Sequence, residues 1–172
     1  MRKFAATVAS LMVVYWAGYT AHAGERVTFR LLQRWCEGRV KEPAVHVLKD
    51  QDSHVKLFRE TYAQFIIPTP EPEKVDFKTD RLVAIFWGAK PSTGYGLSLV
   101  SVTGTGKETT ITVKTSVPTG MTGAMITHPA LVLAIPKAEK VKIIVTGDRK
   151  SSDMWWPDFS NSEGDGWEVS VR

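Results

Sequence analysis

The run Leu82–Trp87, LVAIFW, constrains the fold more than any other part of this chain. Both of its alternating sets of side chains are apolar: Val83, Ile85 and Trp87 on one side, Leu82, Ala84 and Phe86 on the other. A strand that faces water on one side alternates apolar with polar residues, so a strand apolar on both sides belongs in the centre of a sheet covered above and below. The segment therefore predicts a central strand in a layered structure.

The flanking sequence is also strand-like. Val27, Phe29 and Leu31 alternate with Thr28 and Arg30, and after a break from Glu37 to Pro43 the residues AVHVL at 44–48 read as a second short strand. Tyr95, Leu97 and Leu99 share one phase while Val100 and Val102 take the other, which a β-bulge near Leu99 reconciles. TGTGKE at 103–108 reads as a hairpin turn leading into a half-exposed strand, with Ile111, Val113 and Val117 against Thr110, Thr112, Lys114 and Ser116. ALVLAI, VKIIV and WEVSV supply further strands. One segment changes period: from Ser53, the residues Val55, Phe58, Tyr62 and Phe65 fall three or four apart on one helical face, with Asp52 or Ser53 as the N-cap. Pro68, Pro70 and Pro72 stop that helix and favour an extended link. The expected fold is mainly β, an Ig-like sandwich or partly closed barrel, with one α-helix packed on it.

Residues 1–23 carry the three parts of a secretory signal: Arg2 and Lys3, an apolar stretch from Phe4 to Trp16, and small or polar residues ending at Ala23. The apolar stretch is shorter than the roughly 20 residues of a membrane span, so cleavage before Gly24 is expected, leaving residues 24–172 as a single β-rich domain with a Trp-rich extension over 148–172. The expected location is the periplasm or the outside medium. Without Arg2 and Lys3, 20 basic residues face 18 acidic ones and are dispersed, which gives no footprint for nucleic acid. Cys36 is the lone cysteine, so no internal disulfide is available and apolar burial must hold the domain.

Residues 75–137 contain VDFKTDRLVAIFWGAKPSTGYGLSLVSV, then TITVKTSVPTG and THPALVLAIPK. This pattern resembles the C-terminal domain of the PrcB family, named for a subunit of a bacterial surface protease complex. The resemblance rests on Asp76 with Phe77, on Gly88, Lys90, Pro91, Thr93, Gly94 and Tyr95, and on the Pro129–Pro136 strand. It implies an accessory subunit that associates with an exported protease and performs no catalysis itself. KPSTGYGL is also similar to the Asn-Pro-Thr-Thr-Gly-Tyr loop that chagasin-like inhibitors present to cysteine proteases. Lys90 stands where that pattern has Asn, TGMTGAM would serve as the second loop, and no Arg-Pro-Trp motif follows.

Read by itself, KPSTGY is a turn in which Pro91 fixes φ, Gly94 is available for a positive φ, and Tyr95 opens the next strand. Either it simply joins two core strands and buries Tyr95, or its tip touches a partner, as rigidly held loops often do. The candidate contact residues are Lys90, Pro91, Ser92, Thr93, Gly94, Tyr95, Gly120, Met121 and Gly123. A glycan or protein ligand on Trp155, Trp156 and Trp167 is a further alternative, because Trp is enriched at binding hot spots. The histidines at 46, 54 and 128 match no zinc spacing, Lys107 is followed by Glu108 where a phosphate loop needs Ser or Thr, and no nucleophile elbow occurs. Neither a cofactor nor a metal is expected, and the partner is expected to be another exported protein, with a protease the leading candidate.

Overall fold

The computed structural model describes residues 24–35, 40–61, 71–147 and 166–171. Its strands are β1 (Glu25–Arg26), β2 (Arg30–Trp35), β3 (Ala44–Leu48), β4 (Asp80–Phe86), β5 (Gly96–Gly104), β6 (Glu108–Ser116), β7 (Ala130–Pro136), β8 (Lys140–Gly147) and β9 (Gly166–Val171), with helix α1 at Gln51–Thr61. They form two sheets, ordered β1-β5-β6-β8-β9 and β2-β7-β4-β3. The fold is mainly β with one short helix, and the two sheets do not close into a barrel.

The doubly apolar run lies where its pattern requires. β4 is hydrogen-bonded between β7 and β3. One face of β4 and β7, carrying Val83, Ile85, Leu131, Leu133 and Ile135, meets the other sheet's Leu97, Val102, Ile111, Val113, Val141 and Ile143. The opposite face carries Leu82, Ala84, Phe86, Val132 and Ala134, which cluster with Phe58 of α1 and with Val75. The order of layers is therefore sheet, sheet, helix. Each fully buried Leu, Ile or Phe contributes about 1.5–3 kcal/mol of transfer free energy, so these two clusters dominate stability.

The other sheet alternates. Thr109, Ile111, Val113 and Thr115 of β6 are buried while Lys114 and Ser116 face water. The expected bulge is present: the β5–β6 register shifts between Leu99 and Ser101, which turns Val100 outward. Gly106 makes the hairpin turn with φ of 82°. Pairing of β6 with β8 is parallel, unlike every other ladder described, because between them the chain leaves for the second sheet as β7 and returns to the first as β8.

Two expectations need correction. The first predicted strand is divided, since β1 pairs with β5 in one sheet and β2 with β7 in the other. The chain crosses between sheets at residues 27–29, where Val27 packs against the inter-sheet core. The helix cap is neither Asp52 nor Ser53. Asp50 caps α1, its carboxylate accepting the Ser53 amide at 2.7 Å and the Ser53 hydroxyl at 3.0 Å. The bond from the Ser53 amide holds the Asp50 carboxyl below the usual carboxylate range. The buried face of α1 is His54, Phe58 and Thr61, rather than one led by Val55. Tyr62 and Phe65, predicted on that face, lie outside the described residues, as do Cys36 and the signal-like segment.

His54 is 6% exposed, and its ring lies edge-on to Phe77 at 6.3 Å between centroids. Burial lowers its pKa, with the Glu73 carboxylate pulling more weakly the other way. A histidine whose folded pKa is depressed binds fewer protons folded than unfolded, so its contribution is intact above the unfolded value near pH 6.5 and is lost as pH falls below it. Chemical denaturation at pH 7.5 and 5.5 checks this. The parent protein loses stability at the lower pH, and His54→Leu loses less.

Candidate functional site

Beyond Phe86 the chain leaves the sheet through Trp87, Gly88 and Ala89. Gly88 has φ of 77°, and a Cβ there would lie 2.8 Å from the Lys41 carbonyl oxygen, which accepts the Ala89 amide at 2.9 Å. Only glycine lets the chain turn that close to the segment before β3. The turn delivers Lys90 to an isolated antiparallel bridge with Thr127, in which each amide donates to the other's carbonyl, at 2.7 and 2.9 Å.

That bridge starts a seam between the two predicted loops. The Thr93 amide donates to the Gly123 carbonyl at 3.2 Å, and the Gly123 amide donates to Thr93 Oγ1 at 3.2 Å. Thr127 Oγ1 donates to the Ser92 carbonyl at 2.8 Å. KPSTGY and TGMTGAM, separated by more than twenty residues of sheet in the sequence, thus form one hydrogen-bonded tip. Their backbone groups satisfy one another across the seam.

The side chains divide into support and surface. Lys90 is only 7% exposed, and its Nζ lies 4.4 Å from the Trp87 ring centroid and 6.0 Å from that of Tyr95. Trp87 is buried and meets the half-buried Tyr95 edge-on at 5.7 Å. Lys90 and Trp87 therefore form a pedestal beneath the tip, and Lys90 differs from the other predicted contact residues in being enclosed. Pro91, Thr93, Gly120, Met121 and Gly123 are exposed, while Ser92, Gly94 and Tyr95 are half-buried.

Gly94 is a glycine for a different reason from the one its turn suggested. The positive-φ glycines described are Gly88, Gly106 and Gly147. At Gly94 a Cβ would meet Pro118 Cβ and Thr122 Cγ2, both at 2.5 Å, so its bareness is what lets the second loop close on the first. Gly120 has open space at that position.

Three apolar side chains are presented outward by the second loop: Met121, fully exposed, Met125 at 57% and Ile126 at 67%. Met125 and Ile126 were not among the residues predicted from the sequence. The signal available was charge: no Asp, Glu, Lys or Arg occurs from Pro91 to Gly106 or from Thr115 to Pro136. Trp155 and Trp156 lie outside the described residues, and Trp167 falls in β9. Among the described residues no cluster of His, Cys, Asp and Glu could hold a metal ion, and no helix is long and apolar enough to cross a membrane.

Residues 81–136 match the family model described as PrcB C-terminal. This segment runs from β4 through β7 and contains both loops of the tip, so the match falls on the part of the chain whose motifs resemble that family. No curated protein and no solved structure matches the chain.

Gly94→Ala should open the seam. Overpacking of this kind costs about 1–3 kcal/mol, and amide resonances of both loops should shift, whereas Gly120→Ala should leave stability and spectra essentially unchanged. Thr93→Val removes the acceptor for the Gly123 amide and should cost about 1 kcal/mol in chemical denaturation.

Proposed function

We propose that this chain is an exported, non-catalytic protein-binding module, an accessory subunit that associates with an exported protease through the paired loops 90–95 and 119–126. The observation that carries this reading is the tip itself: an uncharged surface bearing Met121, Met125 and Ile126, exposed on loops that are hydrogen-bonded to each other and seated on Trp87 and Lys90. Apolar side chains on a rigid frame lose little freedom on docking, which is the condition for converting buried area into affinity. Methionine suits such a contact because its unbranched, polarizable thioether adapts to the opposing surface.

The charge pattern favours a protein over a lipid surface. Segments that lie on anionic membranes surround their apolar side chains with Lys and Arg, and both loops lack them outside buried Lys90. The family match supports the protease-complex setting, and the signal-like residues 1–23 support export to the periplasm or beyond. The absence of any catalytic motif in the sequence fits a role in contact rather than reaction.

A photoreactive residue at position 121, irradiated in native envelope extract, tests the proposal. The expected adduct is to an exported protease, identified by mass spectrometry. The double substitution Met121→Asp with Ile126→Asp should reduce capture of that protease by about tenfold or more while the unfolding midpoint stays unchanged, as expected for central hot-spot residues. Adducts to lipid alone, or capture that is indifferent to both substitutions, would overturn it. If the captured protease loses activity when bound, the chain is an inhibitor; if activity is retained, it is an accessory subunit.

A further inference from the structure

The first sheet ends unevenly beside the tip. Its outermost strand, β1, pairs only with Thr103 and Gly104 of β5, and the Val27 amide adds one bond to the Val102 carbonyl at 3.3 Å before the chain crosses to the other sheet. From Gly96 to Ser101, β5 has no ladder partner on that side among the described residues. Residues opposite each other in an antiparallel pair turn their backbone polar groups either toward each other or both away. Leu99 is opposite Val113, whose carbonyl accepts Thr146 Oγ1 on the β8 side, so Leu99, and by alternation Leu97, direct amide and carbonyl to the open edge. Natural edge strands are blunted by charge, proline, a bulge or a covering loop. No Asp, Glu, Lys, Arg or Pro occurs from Ser92 to Gly106. The bulge at Val100 bounds the open stretch and leaves Gly96–Leu99 on its tip side.

We infer that Gly96–Leu99 is a strand-addition site: an extended, uncharged segment of a partner protein, alternating apolar with small polar residues, joins the sheet by hydrogen bonds to the Leu97 and Leu99 backbone. In such recognition the main chain supplies affinity and alternate side chains supply specificity. Leu97 is buried and Leu99 half-buried at the margin of the inter-sheet core, so partner residues on that face meet hydrocarbon. Ser98 is exposed on the other face, where a small polar residue fits beside it. A charged segment would find no counter-charge on this stretch. The first loop of the tip runs straight into it at Tyr95, so the edge continues the surface that bears Met121 and Ile126. The inference rests on the reading of the tip only for which protein supplies the segment.

Titrating the purified chain with a capped Thr-Val-Thr-Val-Thr-Val peptide, carrying a lysine at each end for solubility, tests the inference by NMR and hydrogen exchange. Saturable shifts of the Leu97 and Leu99 amides are expected below about 5 mM, with slower exchange at both once the peptide is bound. The same peptide N-methylated throughout keeps its side chains but cannot pair, and should bind about tenfold more weakly or not at all. Absence of saturable shifts, equal binding of the methylated peptide, or shifts confined to β2, β3 or β9 would each overturn it. So would a dimer joined through β5, or slow exchange of the Leu97 and Leu99 amides in the free protein, since the place would already be filled. Because the peptide is synthetic, the outcome is separate from that of cross-linking at position 121: peptide binding without capture of a protease supports the edge site and removes the tip reading, and capture without peptide binding does the reverse.

Discussion

The whole molecule depends on a sheet that is covered on both faces. β4 and β7 give Val83, Ile85, Leu131, Leu133 and Ile135 to the inter-sheet core, and give Leu82, Ala84, Phe86, Val132 and Ala134 to the helix side. With no disulfide available from a single cysteine, this double burial is what holds the rest in place. It also sets the position of the tip. The tip grows from the end of β4 and the start of β7, adjacent strands in register, so its two loops emerge side by side.

The division of labour at the tip follows from chemistry that only lysine and aromatics offer together. A long cationic side chain laid over Trp87 and near Tyr95 fills space as a hydrocarbon and is attracted to the ring faces as a charge. The residues above it are small, hydroxylated or glycine, and join through backbone and threonine hydrogen bonds. Rigidity below and short side chains above leave the methionines and Ile126 as the features that a partner would meet.

Much of the fold was legible in the sequence because side-chain periodicity reports burial directly. The doubly apolar run, the bulge near Leu99, the hairpin at Gly106 and the final strand WEVSV all follow from which face each residue must take. What periodicity does not encode is where the chain changes layer. Thr28 and Phe29 look like continuous alternation, yet the strand breaks there because Val27 and Leu32 serve different cores. The cap at Asp50 was missed for a similar reason: Asp50, Asp52 and Ser53 are all competent, and the choice falls to the residue whose carboxylate reaches the third helical amide. Glycine was read correctly as a mark of special geometry at the tip, but at Gly94 the cause is a neighbouring loop and not the dihedral, which no local pattern reveals.

The parallel pair of β6 and β8 has an implication for how the chain assembles. Thr146 Oγ1 donates to the Val113 carbonyl across 33 residues of sequence, and between them the chain crosses to the opposing sheet as β7. Neither sheet is built from one continuous stretch of chain, so loop-closure entropy must be met before the parallel pair forms, which makes assembly slower than in a fold of local contacts.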